Sequence, residues 1–303
     1  MTRSVRFDSF GGPGVLHLID APIAEPTAGQ IRVRVKTSGL NPVDSIVRSG
    51  GAVGRLPIAP PSGLGNEFAG IVEAVGTGVP DIRVGTPVIG AAPFRSLTEA
   101  LLTTADTVVV KPDSLDWNVA ATLPVAGTTG YNSANSLRLG PADTVLISAA
   151  AGGVGLIASQ IAIRAGATVI GTASESHHDY LRRLGVIPIT YGSGLIGRVR
   201  DAAPGGLNAA LENHSAEAIE TALELGVPVT RINSVVGNAQ EYGVAAVGGD
   251  PSPATIGALA GLVVTGAVQV PIHQTFALDD IQDAYRLLDT HHLLGKVVVR
   301  IDG

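Results

Sequence analysis

Two groups of residues in this 303-residue chain have the types and spacing to do chemistry. The first is Ala150-x-Gly152-x-x-Gly155, inside the uncharged run Val145 to Ile163. Small residues let a backbone approach a pyrophosphate closely, and a helix that follows offers unpaired N–H donors and a partial positive charge. The second group follows the next apolar run: Thr172, Ser174, Ser176, His177 and His178. In this kind of site an acid about 20 residues beyond the glycines binds a ribose 2′-hydroxyl. Thr172 stands there instead. The hydroxyls and histidines offer donors to a 2′-phosphate, and Glu175 opposes it, so NADPH is expected over NADH. Capping of the next helix, by Ser176 above all, is the other use for these side chains.

The chemistry needs a strand, a tight turn and a helix in that order. Thr144–Ser148 reads as a buried strand, and Leu156, Ile157, Gln160, Ile161 and Arg164 follow helical spacing. Three glycines in four positions argue against a membrane helix, since each costs about 1 kcal/mol in a helix interior. A second uncharged stretch, Pro251 to Leu278, is broken by Pro253, Gly257, Gly261, Gly266 and Pro271. It reads as a helix over Thr255–Thr265 and a strand over Ala267–Ile272.

Around these elements the chain changes character twice. Up to about residue 115 it is rich in β signals: Gln30–Lys36 alternates strictly, and Gly70–Gly76, Thr86–Gly90 and Thr107–Pro112 are short apolar runs between turns. A β barrel is expected there. From residue 116, strands alternate with helices (Thr168–Gly171 then His177–Leu184, Ala209–Glu212 then Ala216–Leu225), the pattern of a doubly wound parallel sheet. Near the end, Asp279 with Gln282 reads as a helix cap, followed by the stripe Ile281, Ala284, Tyr285, Leu288 and a strand at Lys296–Ile301. The expected organisation is a β domain of residues 1–115 and 266–303 with a nucleotide domain of residues 116–265 inserted.

Composition narrows the function classes. Hydrophobic residues make up 45% and charged residues 15%, with 39 glycines, which suits a large core. The net charge of −6, without a basic run, disfavours nucleic acid and anionic membranes as partners. The chain has no cysteine, which removes thiolate nucleophiles, disulfides and cysteine-ligated zinc. The start, Met1–Arg6, leads into no apolar region, so a cytoplasmic protein is expected.

Taken together, the motifs resemble the medium-chain dehydrogenase/reductase superfamily, and within it the zinc-free, zeta-crystallin-like quinone oxidoreductases. The resemblance rests on Gly39–Asp44, Gly65–Gly70, Ala121–Thr129, the glycine turn with Gly171–Ser174, and Leu294–Val298. It implies a GroES-like β domain with an inserted Rossmann domain. It places Asn41 and Thr128 beside the nicotinamide as the catalytic candidates. It places Ala151, Gly152, Gly153, Val154 and Gly155 on the pyrophosphate. Ser174, His178 and Tyr191 fall on the adenosine phosphate, and Val236 and Lys296 join Thr172 in the cofactor set. Asn41 and Asn66 stand where the zinc-dependent relatives carry a cysteine and a histidine, so no metal is expected.

Departures from the family fall at Phe94–Ala100, at Leu211–His214 and in a short loop after Val236. These bear on the substrate. The expected activity is NADPH-dependent hydride transfer to a quinone or another α,β-unsaturated carbonyl, a small-molecule substrate, by a homodimer. An enoyl-thioester reductase of fatty-acid or polyketide metabolism and a non-catalytic NADPH-binding protein are the alternatives.

Overall fold

Sixteen strands and nine α-helices follow one another in a computed structural model that describes residues 1–54, 56 and 58–301. In chain order they open with β1 (Thr2–Phe7), β2 (Leu16–Ala21), β3 (Gln30–Gly39), α1 (Pro42–Arg48), β4 (Ser62–Gly63), β5 (Glu67–Val75), β6 (Pro87–Ala91), β7 (Ala100–Thr104), β8 (Val108–Val110) and α2 (Trp117–Ala120). Then come α3 (Thr128–Ser136), β9 (Thr144–Ile147), α4 (Gly153–Arg164), β10 (Thr168–Thr172), α5 (His178–Arg183), β11 (Ile187–Ile189), α6 (Leu195–Ala202), β12 (Ala209–Glu212), α7 (Glu217–Glu224), β13 (Ile232–Ser234) and β14 (Ala245–Ala246). The chain closes with α8 (Pro253–Val264), β15 (Ile272–Ala277), α9 (Ile281–Leu288) and β16 (Lys296–Arg300).

The chain forms two compact units. One holds Met1–Val125, Pro251–Thr265 and the residues from Pro271 onward; the other holds Ala126–Asp250 and Gly266–Val270. These bounds differ from the 115/116 and 265/266 divisions expected from the sequence. The main reason is α8, which packs on β8 and β6 of the first unit, with Val109 against Gly257.

In the first unit β3 is the hub of the larger sheet. Ile31–Gly39 pairs with β5 through two register shifts, Gln30–Arg34 also pairs with β7, and Thr37–Gly39 pairs with β16. The alternation seen in Gln30–Lys36 becomes alternating burial, with Ile31, Val33 and Val35 inaccessible. The C-terminus does return to this unit, because β16 lies antiparallel to β3 and parallel to β15. The stripe Ile281, Ala284, Tyr285 and Leu288 of α9 is buried in the same core.

In the second unit the sheet order is β11-β10-β9-β12-β13-β14, and every pair is parallel. Numbered within the unit, that is 3-2-1-4-5-6, the order of a dinucleotide-binding sheet. The run Val145–Ile163 is therefore strand, turn and helix. No helix among the described residues is long and apolar enough to cross a membrane.

Three local expectations are corrected. The strand expected at Ala267–Ile272 starts only at Ile272; before it, the Gln160 side chain takes the hydrogen bonds of Gln269, donating to its carbonyl and accepting from its N–H. The Asp279–Gln282 cap does not form. Asp279 pairs with Arg3, Gln282 donates to the Leu16 carbonyl, and both partners come from the distant N-terminal strands. Ser176 does not cap α5; it lies inside a short 3₁₀ turn, Glu175–His177, that leads into the helix.

Candidate functional site

In the second unit the site is built from main chain at the carboxyl ends of the strands. Ala149 takes a left-handed conformation (φ 47°) as the chain leaves β9. Its carbonyl accepts from Gly152 N at 2.9 Å, closing the turn, and α4 begins at Gly153. A Cβ on Gly155 would stand 2.3 Å from the Ala149 oxygen, so only glycine fits there. The N–H groups of the first turn of α4 precede any carbonyl of their own helix, which leaves them for an anion. Gly153, Val154 and Gly155 thus present the N–H groups of the first turn of α4, with Ala151 and Gly152 in the turn that leads into it.

Thr172 is 2% exposed. Its Oγ1 accepts from Ala149 N at 3.2 Å and its carbonyl accepts from Ala150 N at 2.9 Å. The side chain therefore braces the glycine turn from a buried position. Ser174 and Tyr191 do come together, with hydroxyls 3.3 Å apart at the exposed rim. His178 sits in the same corner, its Nε2 donating to Ala173 O at 3.2 Å. The Tyr191 loop is held by Arg198, whose guanidinium donates to the carbonyls of Thr190, Tyr191, Gly192 and Ser193. Sequence reasoning did not single out Arg198; nothing in its spacing shows a guanidinium folding back on four carbonyls.

At the end of β12, Glu212 is fully buried and accepts from Ser148 Oγ, His214 N, Ser215 N and Ala218 N. The departure expected to face a substrate is thus a carboxylate that ties the β9 end to the start of α7. Val236 follows β13 at the same edge, its carbonyl accepting from Asn238 N at 2.9 Å.

In the first unit the candidates lie in a buried cluster of side chains. Asn41 caps α1, with Pro42 at the first helical position, where its missing N–H costs nothing. Asn41 Nδ2 donates to Glu67 Oε1 at 2.8 Å. Lys296 Nζ donates to Asn41 Oδ1 at 2.7 Å and to the Leu40 carbonyl, and lies 3.0 Å from Glu67 Oε1. Glu67 Oε2 accepts from Val125 N at 2.7 Å, three residues before Thr128. Asn41, Glu67 and Lys296 are exposed by 5%, 0% and 4%. A Cβ on Gly39 would stand 2.5 Å from Glu67 Oε1, so glycine is what lets the carboxylate reach this place.

Asp44 extends the cluster. Its Oδ2 accepts from Asn41 N at 2.9 Å and its Oδ1 from Asn66 Nδ2. Burial pushes its carboxyl up to about 7, against the opposing effect of the Asn41 N–H and the Lys296 charge. Burial, with the Asp44 charge beside it, raises the Tyr285 phenol well above its usual range. Thr128 is fully buried at the head of α3, in the second unit.

This donor set does not fit a zinc ion. Asn41 Oδ1 is taken by Lys296, Asn66 Oδ1 accepts from Phe94 N, and the Lys296 ammonium would repel a dication. Lys296 itself spends its three N–H groups on Leu40, Asn41 and Glu67. It holds the cluster together from inside.

The likenesses to known proteins agree with this geometry. The family described as "Alcohol dehydrogenase GroES-like domain" matches residues 27–121, and that described as "Zinc-binding dehydrogenase" matches residues 198–299. A quinone oxidoreductase of Pseudomonas aeruginosa is 32% identical over 99% of this chain and 99% of its own. A phenolphthiocerol/phthiocerol polyketide synthase subunit of Mycobacterium tuberculosis is 31% identical over 98% of this chain, but over only 15% of its own length. The crystal structure of the Escherichia coli quinone oxidoreductase complexed with NADPH superposes with a TM-score of 0.86 at 25% identity, covering 99% of this chain and 100% of the other. With a GroES-like first unit, a 3-2-1-4-5-6 second unit and full-length identity of this order, the chain belongs to the quinone oxidoreductases of the medium-chain dehydrogenase/reductase superfamily.

Proposed function

We propose that this protein is an NADPH-dependent oxidoreductase that transfers a hydride to a quinone or another α,β-unsaturated carbonyl compound. The observation that carries the reading is the glycine turn at the switch point of the parallel sheet, in a chain matched end to end by a quinone oxidoreductase. NADPH supplies the hydride when bound. The chain's own residues hold and orient it. The main chain of Ala151 to Gly155 receives the pyrophosphate, Ser174 and Tyr191 offer hydroxyls to the 2′-phosphate, and Thr172 keeps the turn in shape. Asn41 and Thr128 serve the nicotinamide end, where developing charge on the substrate oxygen needs a fixed donor. A homodimer acting on a small-molecule carbonyl substrate completes the reading.

A second reading, an enoyl-thioester reductase, is favoured by the full-length match to a segment of a polyketide synthase subunit. One assay separates the two: NADPH oxidation in the presence of quinones, simple enones and enoyl thioesters. Turnover of quinones or enones with NADPH supports the main reading. Turnover of enoyl thioesters alone replaces it with the second, and NADPH binding without any turnover leaves a non-catalytic binding protein.

A further inference from the structure

We infer that Lys296 and Glu67 are positioning residues that turn Asn41 into a hydrogen-bond donor of fixed direction. The inference rests on the hydride-transfer reading and deepens it. A free asparagine amide can rotate by half a turn and exchange its oxygen for its nitrogen, so it can greet either a donor or an acceptor. Asn41 cannot. Its oxygen faces the Lys296 ammonium at 2.7 Å and its nitrogen faces the Glu67 carboxylate at 2.8 Å. Exchanging them would set N–H against ammonium and oxygen against carboxylate in a buried site, where unmatched polar contacts are most costly.

The lock has a chemical consequence. The amide oxygen is turned to the Lys296 ammonium, and one of the two amide hydrogens is used by Glu67. What Asn41 can still offer is one N–H. The group it recognises is therefore an acceptor oxygen and not a hydroxyl or amine donor. Hydride addition to the unsaturated carbon of an enone or quinone moves an electron pair onto the carbonyl oxygen, while the dihydronicotinamide is oxidised. That oxygen is an acceptor of growing negative charge, and it takes its proton from water afterwards. A donor held in place before the charge forms needs no reorganisation when it does. The Glu67 carboxylate also accepts from Val125 N, so the same group that orients Asn41 is itself held by the main chain.

A double-mutant cycle in the full-length enzyme tests this, with Asn41→Ala, Lys296→Met and the pair. Each single change should lower kcat for a quinone roughly tenfold or more, a larger factor than the rise it causes in the NADPH dissociation constant read by fluorescence. The pair should lose no more than Asn41→Ala alone, because Lys296 acts through Asn41. Multiplied losses in the pair, or full kcat in either single variant, would overturn the inference. Should Lys296→Met fail to fold, the charge-neutral pair Lys296→Met with Glu67→Gln takes its place in the cycle. A parent without reductase activity would defeat the functional reading and not the lock. The lock is then read by NMR of asparagine-labelled protein: one slowly exchanging Asn41 side-chain N–H in the parent supports it, and free rotation of that amide sinks it.

Discussion

The two candidate sites solve recognition in opposite ways. In the second unit the groups on offer belong to the main chain of a few consecutive residues, and the Thr172 side chain braces that main chain. In the first unit the site is made of side chains from three separated stretches, Asn41, Asn66–Glu67 and Lys296, joined by the Val125 N–H and buried together with opposite charges matched. A main-chain site tolerates change in most neighbouring side chains but not added volume. A buried charged site tolerates added volume poorly and loss of one partner worse. Substitutions should therefore strike stability in the first unit and affinity in the second.

The largest effect is expected from Lys296→Met. It leaves the fully buried Glu67 carboxylate facing Asn41 and Val125 without its cation. Removing one partner of a buried pair costs about 3–5 kcal/mol. The pair Lys296→Met with Glu67→Gln removes both charges and should recover most of that loss. Denaturant unfolding of the three proteins measures it. A Lys296→Met variant as stable as the parent would mean that the ion pair contributes nothing.

Next comes pH. The Asp44 carboxyl, ordinarily near 3.8, is raised to about 7 by burial. Between those values the folded chain keeps a proton that the unfolded chain has released. Stability from this group is therefore full below about pH 4, falls as pH rises, and is gone above about pH 7. At 1.36 kcal/mol per pH unit the ceiling is about 4 kcal/mol. Asp44→Asn does not titrate, so the difference between parent and variant stability should fall across that window and then level off. A difference that is flat, or that climbs with pH, would contradict the raised carboxyl.

In the second unit, Gly155→Ala is expected to act on cofactor affinity. The new Cβ meets the Ala149 oxygen at 2.3 Å, a backbone atom that cannot swing away. The turn must open, and the N–H groups of α4 lose their alignment. NADPH affinity should drop roughly tenfold to a hundredfold, or about 1.4–3 kcal/mol. Equal NADPH affinity in a folded variant would place the pyrophosphate elsewhere.

The same contrast explains what could be read from residue order. The glycine turn, the Ala209–Glu212 strand and the alternating β3 are local patterns, in which spacing alone fixes which atoms face which. The β16 return was also legible, since an apolar strand after α/β units has to join a sheet. The Lys296–Asn41–Glu67 lock was not. Its members lie up to 255 residues apart, and only the family resemblance put Asn41 and Lys296 in one site. Local rules failed where a distant partner outbid them: Arg3 took Asp279, the Leu16 carbonyl took Gln282, and Gln160 took the backbone of Gln269. Thr172 shows a subtler limit. Its position at the strand end was right, but its direction depends on the Ala149 N–H, which no spacing rule reports.

The smallest expected effect is at the rim of the second unit. The parent should favour NADPH over NADH by roughly 10- to 100-fold, about 1.4–3 kcal/mol. Ser174 and Tyr191 are the hydroxyls left to make that choice, 3.3 Å apart, with Tyr191 48% exposed. A hydrogen bond to a charged group contributes about 1.5–3 kcal/mol when well shielded, and exposure of this degree should cut it to around 1 kcal/mol. Tyr191→Phe should then weaken NADPH roughly fivefold and leave NADH unchanged, because the phenol meets nothing on a bare ribose. The ring keeps its place because Arg198 holds the loop by four carbonyls, none of which the substitution touches. Ser174→Ala should behave alike. The two together should lose less than the product of the single losses, since each hydroxyl now orients the other. Titrating both nucleotides against the four proteins decides it: equal weakening of NADH and NADPH by Tyr191→Phe would mean that the tyrosine supports the fold of the rim and does not read the phosphate.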